Sequence, residues 1–217
     1  MTLDLSIYLV TDSKQAAAQG RPLAEIVHQA VAGGVTIVQI REKDAPAAAF
    51  LKTVGEVAAV LPSHVPLLIN DRIDIFLAAR ESGIKVDGVH LGQADLPVSL
   101  ARKILGPEAV IGLSAGTVEE LRSAAQEPGR VDYIGIGALH PTSTKLDAPP
   151  ALSLAGFSAL LEFCTLPAVA IGGVRVEDLP GLRQAGAAGA AVVSAICSAA
   201  DPQLAARQLS IAWRGKA

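Results

Sequence analysis

Cysteine, charge of one sign and long apolar runs are all scarce in this 217-residue chain, and each scarcity removes a class of protein. The only two cysteines, Cys164 and Cys197, are isolated and show no metal-type spacing. They read as small buried hydrophobes with reduced thiols. A formal net charge of −3 gives no field to attract nucleic acid or an anionic membrane. Any bound anion must therefore be held by a local cluster of cations. Gly, Pro or charge interrupts the apolar stretches well before the ~20 residues that a membrane-spanning helix needs. The opening MTLDLSIYLV has no basic region before its apolar run and reads as a first strand, not as a signal peptide. No Ser/Pro-rich linker, charge run or low-complexity segment divides the chain. Residues 1–217 are therefore expected to form a single domain, soluble and cytoplasmic. No Ser/His/Asp set or Cys/His pair stands at sensible positions, which points away from acyl transfer.

What the chain does have is apolar residues, 51% of the total, arranged in a repeating order. Short runs rich in Val and Ile alternate with segments of helical period. The expected strands are 6–11, 36–41, 66–70, 88–91, 110–114, 133–138, 168–172 and 190–194. Several are apolar on both faces, as strands buried in a parallel sheet should be. The clearest helical segments are 23–32, 47–61, 73–82, 118–126, 153–164 and 203–213. Phe50, Leu51, Val54, Val57, Ala58 and Leu61 fall on one stripe of the second. Thr117 before Val118-Glu119-Glu120 is capping-box chemistry, and Asp201-Pro202 sets a cap and a first-turn proline for the last helix. Eight strand–helix units in this length predict an α/β fold, a single (β/α)8 TIM barrel. The competitor is a doubly wound open sheet, which calls for a Gly-rich turn after the first strand. Thr11-Asp12-Ser13-Lys14 stands there instead.

Barrel enzymes place their chemistry at the C-terminal ends of the strands, and polar residues gather there. Alternation along the second strand sends Gln39, Arg41 and Lys43 to one side. A guanidinium and an ammonium beside an amide suit a phosphate or diphosphate; the bland alternative is a solvated strand end pairing with Glu42 or Asp44. After the third strand comes Asn70-Asp71, and after the fourth Asp95. Either carboxylate could cap a turn. Together, near cations, they suit Mg²⁺, which takes one or two carboxylates plus water and phosphate oxygens. The sixth strand leads into Thr142, Ser143, Thr144 and Lys145, three hydroxyls and an ammonium in one short loop. Gly172-Gly173 follows strand seven, where barrels often bind phosphate. Of the four histidines, His28 and His64 lie remote from the strand ends, and His90 reads as satisfying a local hydrogen bond.

Several of these segments resemble one family in register along nearly the whole chain. YLVTD at Tyr8–Asp12, QIREK at Gln39–Lys43, IND at Ile69–Asp71, DGVHLGQAD at Asp87–Asp95, PTSTK at Pro141–Lys145, and the IGG and VSAI strand ends are similar to thiamine phosphate synthases. Those enzymes couple a hydroxymethylpyrimidine diphosphate to a thiazole phosphate and release diphosphate with Mg²⁺. The resemblance implies pyrimidine diphosphate contacts from Gln39, Arg41, Lys43, Asn70, Ser114 and Lys145. It implies Mg²⁺ ligation by Asp71 and Asp95, and thiazole phosphate binding by Thr142, Ser143, Thr144, Gly173, Val193 and Ser194. Arg41, Lys43 and Lys145 are the expected catalytic cations. The partners expected are these two small molecules, with no nucleic acid or membrane and with room for a homo-oligomer. One departure stands out: Gly116 occupies a place where the family often has His. Related thiazole tautomerases use a His there, so its loss argues against tautomerase activity. Two other readings remain open at this stage. One is a Schiff-base lysine in the loop after strand six; the other is a non-catalytic sensor on the same barrel.

Overall fold

The computed structural model describes residues 3–142 and 150–215, and its strands close on themselves into a barrel in chain order. The strands are β1 (Ile7–Val10), β2 (Ile37–Ile40), β3 (Leu67–Asn70), β4 (Gly88–Leu91), β5 (Val110–Ser114), β6 (Tyr133–Gly137), β7 (Ala168–Ile171) and β8 (Gly189–Val192). Every neighbouring pair is parallel, and β1 closes the ring against β8 through Tyr8 opposite Ala191. This is the (β/α)8 barrel expected from the alternating pattern.

Period-two alternation divides each strand between two apolar layers. Ile7 and Leu9 of β1, Val38 and Ile40 of β2, and Ile134 and Ile136 of β6 pack outward beneath the helices. Tyr8, Val10, Ile37, Leu68, Tyr133, Val169 and Ala191 form a separate inner cluster. Burial on both faces explains why these strands read as continuous hydrophobic runs. Gln39 sits between Val38 and Ile40, so register alone turns its amide into the barrel. It is almost fully buried.

The covering helices follow their apolar stripes. They include α1 (Ser13–Ala18), α2 (Leu23–Gly33), α3 (Ala47–Ala58), α4 (Ile73–Glu81), α5 (Val98–Leu105), α6 (Val118–Ala125), α7 (Ser153–Leu161), α8 (Leu179–Gln184), α9 (Ser194–Cys197) and α10 (Pro202–Arg214). Phe50, Val54 and Val57 are the buried stripe of α3, each contributing roughly 1.5–3 kcal/mol by leaving water. That helix stops three residues short of the expected Leu61, because Pro62 disfavours helical backbone before it. The capping box of α6 forms in both directions: Thr117 Oγ1 accepts from the Glu120 amide at 3.2 Å, and Glu120 accepts from the Thr117 amide at 3.1 Å. Asp201 caps α10 by accepting from Leu204 N–H at 2.8 Å.

Strand eight ends earlier than its sequence suggests. Pairing stops at Val192, Val193 turns the chain, and Ser194 opens the short helix α9. Cys197 lies buried in α9, where desolvation pushes its thiol up to about 12. No helix among the described residues is long and apolar enough to cross a membrane.

Candidate active site

At the ends of β2, β3 and β4 the fold brings four of the expected residues into one cluster. Asp71, just past β3, takes a left-handed backbone with φ 60°, a conformation that Asp tolerates better than most residues. It does not cap α4, whose N-cap is Arg72 with no side-chain cap bond. Its carboxyl is instead hydrogen-bonded to that of Asp95, with the Asn70 side chain and the Arg41 charge close by. Asp71 stays exposed as a residue at the rim, yet its carboxyl is partly withdrawn from water. That desolvation, followed by the hydrogen bond and charge of Asp95, raises its pKa to about 6; Asn70 and Arg41 pull weakly the other way. Asp95 also accepts from the Gly92 amide at 2.6 Å, which folds the β4–α5 loop back over the strand end. Among the described residues no group of three or more His, Cys, Asp or Glu converges anywhere. A cation here would therefore take two carboxylates from the protein and complete its shell from water and ligand. That donor set fits Mg²⁺.

Glu42 accepts from Ser13 Oγ, and Asp44 pairs with Lys14 at 3.0 Å. The Arg41 amide donates to Thr11 Oγ1 at 3.2 Å, tying the end of β2 to that of β1. Lys43 stands further out on the exposed rim.

On the far side of the mouth, β6 and β7 continue past their formal ends as a paired ribbon. Leu139 and His140 donate to Ile171 and Gly172 carbonyls at 2.9 Å. His140 Nε2 meets Asp178 Oδ2 at 2.9 Å, pinning the ribbon to the following turn. Gly173 has φ +65°, and a Cβ there would come within 2.9 Å of His140 Cβ. Thr142 lies just beyond this ribbon. Val193 and Ser194 stand at the start of α9. Ser143, Thr144 and Lys145 lie outside the described residues. Among the described residues, an added Cβ at Gly116 would find nothing nearer than the Gly137 carbonyl oxygen at 3.7 Å. The described residues around this corner therefore leave space for a Cβ that this sequence does not supply.

Inside the barrel two tyrosines to which sequence reasoning gave no role link Gln39, His90 and Ser114. Gln39 Nε2 donates to Tyr8 Oη at 2.6 Å, and Tyr8 Oη contacts Tyr133 Oη at 2.6 Å. Tyr133 Oη meets His90 Nδ1 at 2.8 Å, and His90 Nε2 meets Ser114 Oγ at 2.9 Å. Burial raises both phenols above their ordinary range. A signal was present: the only two tyrosines of the chain both stand at inward positions of otherwise aliphatic strands.

A closed parallel barrel with its polar residues gathered at the C-terminal strand ends is a (β/α)8-barrel enzyme. Comparison with known proteins narrows the class. The family model for thiamine monophosphate synthase matches residues 7–196. A thiamine-phosphate synthase of Azorhizobium caulinodans is 48% identical over 207 residues, covering 95% of this chain and 93% of its own. Another, of Clostridium novyi, is 44% identical, covering 97% of this chain and 99% of its own. The solved thiamine phosphate pyrophosphorylase of Pyrococcus furiosus superposes with a TM-score of 0.84 at 30% identity, over 98% of this chain and 97% of its own. The chain belongs to the thiamine monophosphate synthase family and is a transferase of thiamine biosynthesis.

Proposed function

We propose that the enzyme joins 4-amino-2-methyl-5-hydroxymethylpyrimidine diphosphate to 4-methyl-5-hydroxyethylthiazole phosphate, giving thiamine phosphate and diphosphate. The observation that carries this reading is the Asp71–Asp95 pair beside Arg41 and Asn70, next to a buried amide, Gln39. A bound Mg²⁺ would neutralise charge on the diphosphate; Asp71 and Asp95 are the residues that would hold it. In this reading Arg41 and Lys43 bind the diphosphate oxygens, with Lys145 completing the set. Gln39, Asn70 and Ser114 seat the pyrimidine. Gly173, Val193 and Ser194, with Thr142, Ser143 and Thr144, hold the thiazole phosphate.

The chemistry asks for little proton transfer. The C–O bond of the pyrimidinylmethyl diphosphate breaks, and the electron pair leaves with diphosphate. The aminopyrimidine stabilises the carbocation, and the thiazole nitrogen then donates its pair to form the new C–N bond. Arg41, Lys43 and Lys145 stabilise the charge growing on the leaving group, while the phosphate anchor holds the thiazole within reach. The direct test mixes purified protein, both precursors and Mg²⁺ and follows diphosphate and thiamine phosphate. Both products should appear in equal amounts, and their absence would overturn the reading. A Lys145→Ala variant should lose turnover far more than melting temperature; equal loss of both would remove that lysine from the mechanism.

A further inference from the structure

The buried chain Gln39–Tyr8–Tyr133–His90–Ser114 draws one residue from each of β2, β1, β6, β4 and β5. The barrel wall makes room for it. A Cβ on Gly112 would lie 2.1 Å from Tyr133 Cζ, and one on Gly135 would lie 3.2 Å from His90 Cε1.

The donor roles along the chain follow from one end. The Gln39 –NH₂ can only donate, so Tyr8 Oη accepts from it; the buried Tyr8 proton then finds an acceptor along the chain only in Tyr133 Oη. Tyr133 Oη, having accepted, gives its proton to His90 Nδ1. A neutral imidazole with Nδ1 accepting carries its proton on Nε2, which then donates to Ser114 Oγ. Burial holds both phenols protonated, so no link can reverse without reversing the rest. The two ends are therefore left with opposite characters. Gln39 retains its carbonyl oxygen, an acceptor. Ser114 retains its hydroxyl proton, a donor.

We propose that Tyr8, Tyr133 and His90 are positioning residues that impose this single polarity, so that Gln39 and Ser114 accept a 4-aminopyrimidine and reject its 4-oxo counterpart. An aminopyrimidine presents a donor amine beside an acceptor ring nitrogen. The oxo compound presents an acceptor oxygen that the Gln39 carbonyl cannot satisfy, whereas Ser114 Oγ keeps a second lone pair for the ring N–H, so the discrimination falls on the Gln39 end. A buried group left unpaired discriminates far more strongly than a misfit of shape. The inference rests on the pyrimidine reading of the previous section.

Two measurements test it. In the full chain labelled with ¹⁵N-histidine, the His90 resonances, assigned with a His90→Gln variant, should show the proton on Nε2. A proton on Nδ1 would overturn the polarity. In steady-state kinetics, wild type should favour the 4-amino over the 4-oxo diphosphate by at least ~10²-fold in kcat/KM. Tyr8→Phe and Tyr133→Phe keep the rings but cut the chain, and each should shrink that ratio at least tenfold. Should the phenylalanine variants fail to fold by thermal melting, the His90 proton position in wild type decides the polarity by itself. An unchanged ratio in folded variants refutes the inference and leaves the synthase reading standing. Wild type that makes no thiamine phosphate from the 4-amino substrate refutes that reading itself.

Discussion

The Asp71 carboxyl has a proton to lose before it can hold a cation. Its pKa is raised to about 6 by desolvation and by Asp95, so the folded state binds that proton more tightly than the unfolded chain does. The stability this proton gives is therefore present at low pH and is lost as pH rises through about 6. A divalent cation competes for the same oxygens. Mg²⁺ affinity, measured by the Mg²⁺ dependence of turnover, should fall about tenfold per pH unit below pH 6. Without the cation, Asp71→Asn should melt higher than wild type at pH 7.5, and that advantage should shrink as pH falls from about 6 toward the ordinary carboxylate value of 3.8. A metal dependence flat from pH 7 to 5 would show that the two carboxyls do not share the ion. This pair was legible from sequence as two acids at adjacent strand ends near cations. Its hydrogen bond was not, because the loop that swings Asp95 back to the Gly92 amide has no sequence period. The tyrosine–histidine chain was hidden for a different reason. Its members are far apart in sequence, and each alone reads as an ordinary strand residue.

Helix α6 shows how much of an element can be read before folding and how much it is worth. Thr117 and Glu120 satisfy each other's amides, and Glu120 also accepts from Gly116 N–H at 2.7 Å. This one helix start therefore holds the β5–α6 corner where the family often has His. Thr117→Ala should cost about 1 kcal/mol, a melting shift of roughly 2–4 °C at this chain length. Glu120→Ala should cost more, because it strips two amides instead of one. Equal melts for the two variants would mean that water replaces the Gly116 bond. Caps with side-chain chemistry, here and at Asp201, were legible because their signal is local. The end of β8 was not. Val193 and Ser194 suit a strand by type, and only the short helix α9 turns them away from it. Helix α1 escaped notice because SKQAAA carries no apolar stripe, although Asp12 caps it firmly at 3.0 Å.

Across the whole molecule the two ends of the barrel divide the labour of stability and chemistry, and paired substitutions can measure that division. At the N-terminal end Arg102 reaches from α5 beneath β5 and β6. It donates to the carbonyls of Gly129 at 2.8 Å and Arg130 at 2.9 Å, to that of Ala109, and to Asp132 Oδ2 at 2.9 Å. Asp132 in turn accepts from Ile111 N–H at 2.8 Å, locking the starts of the two strands together. Asp87 repeats the device two units earlier, between β3 and β4, accepting from Leu67 N–H at 2.8 Å. The Arg102 side chain is 13% exposed, so its removal strands buried carbonyls and a charge at a cost on the order of 3 kcal/mol. Arg102→Ala should then melt roughly 6–12 °C lower, with kcat/KM within about twofold of wild type where the protein is folded. Arg41 stands at the opposite end, and its backbone bond to Thr11 survives truncation of the side chain. Arg41→Ala should hold its stability within about 0.5 kcal/mol and lose at least ~10²-fold in kcat/KM. If Arg41→Ala instead melts as low as Arg102→Ala, the guanidinium at the mouth serves the fold. If Arg102→Ala loses turnover while still folded, the base of the barrel is coupled to its chemistry through β5 and β6, the strands that carry Ser114 and Tyr133.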